Sequence, residues 1–329
     1  MNPEILLALE NIVGSAYIFT DEATRKTYGH DETEDLSFPP HVVVKPANTE
    51  EVAQILRVSN TYKIPTTPIG ARTGLSGGAL SIYGGIGISM ERFNQIIEID
   101  EQNLQVTTQP GVITQVLREA VAEIGLFYPV DPSSMGSCFI GGNIAENSGG
   151  ARALKYGVTK DYVLNLEVVL PTGDIIWTGA NTLKNSTGYN LTQLMVGSEG
   201  TLGIVTKIVL KLLPQNKHNV LLLVPFYKAE QACEAVSAIF RAGIVPSALE
   251  FMERDAIDWT LKFVDGLNVE VKDNVQAHLL IEVDGNYPEI LMQEAEQILA
   301  VVEEFEIDEV LFADTEEQKN ALWKMRRSV

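Results

Sequence analysis

The chain has 329 residues, of which 45% are hydrophobic. That is enough for a full globular core and for two domains at roughly 100–200 residues each. Its formal net charge of −20 argues against nucleic acid or an anionic membrane as a partner. An anionic small substrate stays open, because screening over about 8 Å leaves a local Arg or Lys in control of its own pocket.

At the N-terminus, Ile5, Leu6, Leu9, Ile12 and Val13 fit one face of a helix. Glu4 and Glu10 interrupt the apolar run and no basic leader precedes it, so it fails as a signal peptide. No apolar run approaches the roughly 18 residues that span a bilayer, and a cytoplasmic protein is expected. Residues 41–45 read as a strand, and Thr49 caps a helix running to about Tyr62. A short strand leads to Pro68. Residues 86–109 alternate as three short strands, and 112–124 form a helix ended by Gly125. Residues 165–179 form a hairpin with Thr172-Gly173 at the turn, and 201–214 a strand that stops at Pro214.

The texture changes near residue 216. Strands at 218–226, 278–285 and 309–314 alternate with helices at 228–243 and 288–305, followed by a last helix from 316. This β-α-β-α-β order predicts a second, α+β domain. The boundaries are thus a helical segment at 1–37, a domain at 38–215 and a second domain at 216–329. No Gly, Asn or Pro ends the last helix, so a continuation is expected, with Leu322, Trp323 and Met325 left as exposed apolar surface that favours self-association. Cys138 and Cys233 have no metal or redox spacing. Cys233 reads as core packing within a helix.

Three segments carry chemistry. In Pro68-Ile-Gly-Ala-Arg-Thr-Gly-Leu-Ser-Gly-Gly78, four glycines allow tight turns and expose N–H groups, a nest suited to a pyrophosphate. Its spacing meets neither the dinucleotide fingerprint nor the P-loop. Residues 131–150, followed by Ala-Arg-Ala-Leu-Lys-Tyr-Gly157, lack helical or strand periodicity. Glycines there let the backbone lie against a planar ring, and Asn143 and Asn147 could hydrogen-bond the ring edge. Gly197-Ser-Glu-Gly-Thr-Leu-Gly-Ile-Val-Thr206 turns from a glycine-rich loop into a strand. Any one of these could be an ordinary loop; three within one domain are far less expected by chance.

These three texts resemble the FAD-linked oxidases and dehydrogenases of the vanillyl-alcohol oxidase and p-cresol methylhydroxylase superfamily. Within it, the resemblance runs to the glycolate oxidase FAD subunit and the D-lactate and D-2-hydroxyglutarate dehydrogenases. It implies an α+β fold: a two-lobed FAD-binding domain, then an incomplete, ferredoxin-like α+β cap domain. By position, Pro68, Ile69, Gly70, Ala71, Arg72, Thr73 and Gly74 resemble the pyrophosphate loop. Asp131, Pro132, Ser133, Ser134, Met135, Gly136 and Ser137, together with Gly142, Asn143, Glu146, Asn147, Ser148 and Gly149, resemble the segments along the flavin. Glu199, Gly200, Thr201, Leu202, Gly203, Ile204 and Val205 resemble the last cofactor segment. Arg72 stands where a tethering His could, and His30, His41, His218 and His278 match no attachment motif, so FAD is expected without a covalent bond.

Trp323-Lys-Met-Arg326 resembles the family's WxxR motif, whose Arg grips the substrate carboxylate through its planar fork. Read without the family, the same residues are a basic helix end meeting the macrodipole. The resemblance implies oxidation of a small 2-hydroxy acid by hydride transfer to the flavin. Relatives extend further and carry a His-rich motif that serves as base or binds a divalent metal; no such motif is present here, and no metal site is expected. Expected partners are the small acid and a C-terminal fragment or an iron–sulfur or other electron-transfer subunit. The alternative reading is a non-catalytic FAD-binding subunit of an electron-transfer complex.

Overall fold

The computed structural model describes residues 1–33, 35–267, 271–313 and 315–328. Two compact units emerge: 1–148 with 158–214, and 149–157 with 215–329. Asp314 and Val329, at the ends of the last expected strand and helix, lie outside the described residues.

The first unit opens with α1 (Pro3–Val13), β1 (Ile18–Phe19), α2 (Glu22–Thr27), β2 (Val42–Val44), α3 (Thr49–Tyr62), β3 (Thr66–Ile69) and β4 (Ile86–Ser89). Its four strands form a sheet in the order β1-β2-β4-β3, with β2, β4 and β3 parallel. Parallel strands need cover on both faces, which explains why Val42, Val43 and Val44 are all fully buried. Ile5, Leu9 and Val13 of α1 join Val52, Ile55 and Leu56 of α3 in the core beside β2 and β4. The cap of α3 is Asn48 rather than Thr49: the Asn48 side chain accepts from Glu51 N–H at 3.0 Å, and Glu51 accepts from Ala47 N–H at 2.7 Å. The Thr49 hydroxyl is instead directed to Glu167.

A second lobe of the same unit holds β5 (Ile96–Asp100), β6 (Gln105–Thr108), α4 (Thr114–Ala122), β7 (Leu126–Phe127) and α5 (Ile140–Glu146). Residues 131–150, which lack visible periodicity, therefore contain a short helix; Gly141 and Gly142 weaken its signal. In the second unit, 149–157 carries α6 (Ala153–Tyr156). The first unit resumes with β8 (Val163–Val169), β9 (Ile175–Trp177), α7 (Leu191–Met195), β10 (Ile204–Lys211) and β11 (Leu213–Pro214). The antiparallel sheet runs β5-β6-β10-β8-β9, and β11 pairs with β7. The β8–β9 turn is tight: Gly173 has φ +85°, and a Cβ there would come within 2.6 Å of Arg57 Cγ on α3.

The second unit continues with β12 (His218–Phe226), α8 (Ala229–Arg241), β13 (Ala248–Glu253), α9 (Arg254–Phe263), β14 (Ala277–Gly285), α10 (Pro288–Val302), β15 (Leu311–Ala313) and α11 (Glu316–Arg327). The sheet order β13-β14-β12-β15, antiparallel throughout, gives the ferredoxin-like pattern. The β13–α9 pair is an element the sequence pattern did not reveal. Alternation along β12 sends Leu222, Val224 and Phe226 to the core under α8 and α10, and Leu221 and Leu223 to the other face. Leu322, Trp323 and Met325 of α11 are 2%, 7% and 0% exposed, which corrects the expectation of an open apolar end. They pack with Met252 and Ile257 from β13 and α9, the pair that went unseen. Cys233 is exposed on α8 rather than in the core.

Residues 149–157 are tied to the second unit by polar bonds. Arg152 donates to the buried carboxylate of Glu282 at 3.1 Å. Lys155 and the Tyr156 hydroxyl each donate to Asp284 at 2.6 Å. These bonds hold Asp284 below the usual carboxylate range although burial alone would raise it.

Candidate functional site

One cavity in the first unit draws together stretches far apart in sequence. The loop 68–74, leaving the end of parallel strand β3, forms one wall. The start of α5 through Glu146 and Ser148 forms the second, and Ser198, Glu199, Gly200 and 203–205 the third. Counted out to its open mouth, the space is about 1080 Å³.

The loop offers backbone rather than charge. Among the described residues, no hydrogen bond engages the N–H groups of 71–76. Arg72 takes the left-handed conformation, φ +62°, which is uncommon for a residue with a side chain. Its guanidinium turns to Thr27, donating to the carbonyl oxygen at 2.5 Å, and lies 4.6 Å from the centre of the Tyr28 ring. Asp31 pins the far end of the loop, accepting from Gly77 N–H at 3.1 Å.

Missing side chains leave room. A Cβ at Gly74 or Gly142 would meet nothing within 4 Å, and one at Gly70 only the Gly142 backbone at 3.9 Å. These glycines line the cavity, so the space they leave is open rather than filled by packing. Gly200 works differently: its φ is +71°, and a Cβ would sit 2.4 Å from Pro68 Cγ, so here glycine lets two walls touch. Free N–H donors beside glycine-walled space fit a pyrophosphate and a planar ring system.

Buried polar contacts orient α5. Asn143 donates from Nδ2 to Thr114 Oγ1 at 2.7 Å, and that hydroxyl lies 3.2 Å from Cys138 Sγ. The carboxylates converge at the mouth. The Ser76 hydroxyl donates to Glu146 at 3.1 Å, and the Glu146 carboxyl is pushed up by desolvation and by the nearby Glu199 and Asp31 charges.

Of the expected cofactor residues, Pro68–Gly74, Ser134, Gly142, Asn143, Glu146, Ser148, Glu199, Gly200, Gly203, Ile204 and Val205 line the cavity. Asp131, Pro132, Ser133, Met135, Gly136, Ser137, Asn147, Thr201 and Leu202 are not in its lining, and Gly149 belongs to the second unit. Asn147 caps α5 in the left-handed conformation and accepts from Lys160 N–H at 3.0 Å. The lining also includes Asp31 and Cys138, which the sequence reading did not include. Asp31 sits in an acidic run that looks like ordinary surface, so nothing local signals it. In the second unit, Arg326 is paired with Glu250 on β13.

Comparison with known proteins decides the family. Residues 40–179 match the family described as FAD binding domain, and 215–329 match the C-terminal domain of FAD linked oxidases. The D-lactate dehydrogenase of Anaerostipes hadrus is 41% identical over 331 residues, covering 99% of this chain and 69% of that protein. The chain belongs to the FAD-linked oxidases. FAD is accordingly its cofactor. The glycolate oxidase subunit GlcD of Bacillus subtilis (strain 168) is 44% identical, covering 93% of this chain and 64% of that protein. The D-2-hydroxyglutarate dehydrogenase of Stutzerimonas stutzeri (strain A1501) is 32% identical, covering 100% of this chain and 70% of that protein. The chain thus spans about two thirds of the length of these FAD-linked oxidases.

Two solved structures share the fold at low identity. An alkyldihydroxyacetonephosphate synthase superposes with a TM-score of 0.82 at 18% identity, covering 99% of this chain and 65% of that one. The 4-ethylphenol oxidase from Gulosibacter chungangensis does so with 0.79 at 21%, covering 99% and 69%. Among the described residues, no helix is long and apolar enough to cross a membrane.

Proposed function

We propose that the protein oxidises a small D-2-hydroxy acid of the glycolate, D-lactate or D-2-hydroxyglutarate class to the 2-oxo acid, with FAD held non-covalently in the glycine-walled cavity. The observation that carries this reading is the pairing of unengaged loop N–H groups with the open space left by Gly74 and Gly142. When bound, FAD supplies a two-electron acceptor for the hydrogen on the hydroxyl-bearing carbon. The names of the relatives, glycolate oxidase subunit, D-lactate dehydrogenase and D-2-hydroxyglutarate dehydrogenase, support the substrate class.

The chain's own part is binding and orientation. Backbone N–H groups of the loop beginning at Pro68 hold the pyrophosphate, where a charge-assisted hydrogen bond contributes about 1.5–3 kcal/mol. Gly142 and the wall at 203–205 leave space for the ring. Among the described residues no histidine lies in the cavity lining, and Cys138 Sγ is engaged with Thr114, which supports a non-covalent cofactor. Arg326 takes the substrate carboxylate. Its guanidinium is already oriented by Glu250, an arrangement suited to planar two-point recognition. The relative named glycolate oxidase subunit supports assembly with a further chain.

The test is to reconstitute the protein with FAD, record the visible spectrum, and add glycolate, D-lactate and D-2-hydroxyglutarate without oxygen. Bleaching by one of them is expected. Failure to take up FAD overturns the cavity assignment; uptake without bleaching by any of the three overturns the substrate class.

A further inference from the structure

The side chains that line the cavity carry a net negative charge, although the ligand proposed for it is itself an anion. Three carboxylates line it, Asp31, Glu146 and Glu199, against one cation, Arg72. Arg72 is committed elsewhere, to the Thr27 carbonyl and the Tyr28 ring. Asp31 is also committed, accepting N–H bonds from Thr33 at 2.9 Å and Gly77 at 3.1 Å. Glu146 and Glu199 differ. Both side chains line the cavity and both reach Gly78: a Cβ there would lie 3.1 Å from Glu146 Oε1 and 3.3 Å from Glu199 Oε2. The one hydrogen bond recorded to the Glu146 carboxylate comes from the Ser76 hydroxyl, among the described residues. FAD bound in the cavity would strip water from this pair and bring its anionic pyrophosphate near them, since Ser76 of the glycine-rich loop bonds Glu146.

We infer that the Glu146–Glu199 pair takes up one proton from solvent when FAD binds, so that Glu146 faces the bound nucleotide as a neutral carboxylic acid and cofactor retention is coupled to pH. The inference rests on the cavity being the FAD site. Two carboxylates that both reach Gly78, in a space that the ligand would empty of water, are costly to keep ionised together. A shared proton removes one negative charge and turns an acceptor oxygen into a donor that can meet an anionic oxygen. The charged groups around Glu146 act in one direction: Glu199 and Asp31 favour its protonation, as does the loss of water, and Arg72 is turned away. Glu32 is carried on the Asp31 segment, its N–H donating to the Gly74 carbonyl oxygen at 3.1 Å, and adds to the negative side. A divalent cation is the rival way to neutralise the site. Among the described residues no group of three or more His, Cys, Asp or Glu could hold one, which favours the proton.

The experiment is titration calorimetry of FAD into the apoprotein between pH 5.5 and 8, with a chelator present, in buffers of different ionisation enthalpy. The pyrophosphate stays a dianion over this range, so proton uptake reports on the protein. Wild type is expected to take up close to one proton, with Kd rising by up to about tenfold per pH unit on the alkaline side. E146Q should bind FAD with little pH dependence. E199Q, which removes the like charge, should shift the onset of that dependence to lower pH and serves if E146Q folds poorly. A wild-type Kd that does not change with pH, or an E146Q protein that keeps the wild-type slope, overturns the inference. So does binding that is restored by Mg²⁺ without proton uptake, which assigns the neutralising role to a cation. No FAD binding at any pH overturns the cavity assignment as well, and is distinguished from these by the absence of heat and of a flavin spectrum.

Discussion

Arg326 meets Glu250 through two nitrogens at one oxygen: Nε lies 2.6 Å and Nη2 2.5 Å from Glu250 Oε2. The pair joins helix α11 to strand β13 within the second unit and fixes the plane of the guanidinium. Replacing Arg326 by Lys keeps the charge but loses the fork, and leaves Glu250 with a single flexible partner. Because R326K removes planar recognition, binding of pyruvate or 2-oxoglutarate, measured by calorimetry on the FAD-loaded protein, is expected to weaken. R326A should cost more, on the order of 2–5 kcal/mol. Unchanged product affinity in both variants, with FAD content intact, would rule out the carboxylate role.

His278 gives a pH dependence of stability that belongs to the second unit. It is 2% exposed on β14 and its Nδ1 has no hydrogen-bond partner, among the described residues. Burial, with Arg254 nearby, pushes its pKa down to about 4 from the usual 6.5. The unfolded chain therefore binds the proton first. Stability is full above about pH 6.5, falls as the pH drops towards 4, and levels below that. The total loss is of the order of 3 kcal/mol. Urea unfolding between pH 7 and 4.5 should show this slope in wild type and a smaller one in H278L. An equal slope in the two proteins would assign the effect to other groups.

Thr49 couples the two lobes of the first unit. Its hydroxyl donates to Glu167 Oε1 at 2.6 Å; Thr206 Oγ1 and Lys207 Nζ reach the same carboxylate, each at 2.9 Å. Burial would raise the Glu167 carboxyl, yet these three donors hold it below its ordinary range. T49V keeps the shape and removes one donor from a buried anion, at about 1–3 kcal/mol. The expected readout is a lower urea midpoint at pH 7 with unchanged m-value. Since the folded carboxyl titrates below the unfolded one, the wild-type advantage should shrink as the pH falls through the carboxylate range.

The sequence showed most of what the backbone does by periodicity, and least of what depends on distant partners. The alternation of 218–226 and the 3.6-residue spacing of 288–305 announce their elements because burial is one-sided and regular. Helix α5 stayed hidden because Gly141 and Gly142 suppress the pattern, Gly141 where the chain packs against Pro110 and Gly142 where the cavity lies open. Strand β13 and helix α9 were missed, and with them the surface that buries Leu322 and Trp323; hence the mistaken expectation of an open end. Pro68 to Gly74 was legible from its glycines as a cavity-lining loop, and among the described residues no hydrogen bond engages the N–H groups of 71–74. Asp31 was not, because its part depends on Gly77, far along the chain, and its neighbours look like solvated surface. Glu250 was likewise unreadable as the partner of Arg326.

Gly142 separates stability from cofactor binding. It lies in helix α5, where glycine costs roughly 0.8–1 kcal/mol relative to alanine. A Cβ there meets nothing within 4 Å and points into the cavity lining. G142A should therefore leave the apoprotein as stable as wild type or slightly more so, while FAD affinity falls, and G142V should deepen that loss. Gly200 is the control of opposite sign. Its φ of +71° and the 2.4 Å approach to Pro68 Cγ make G200A strained whether or not FAD is present. Thermal melts of the apoproteins beside FAD titrations read both effects. If G142V bound FAD like wild type, the open space at α5 would not be flavin space, and the ring would have to be placed elsewhere along the cavity.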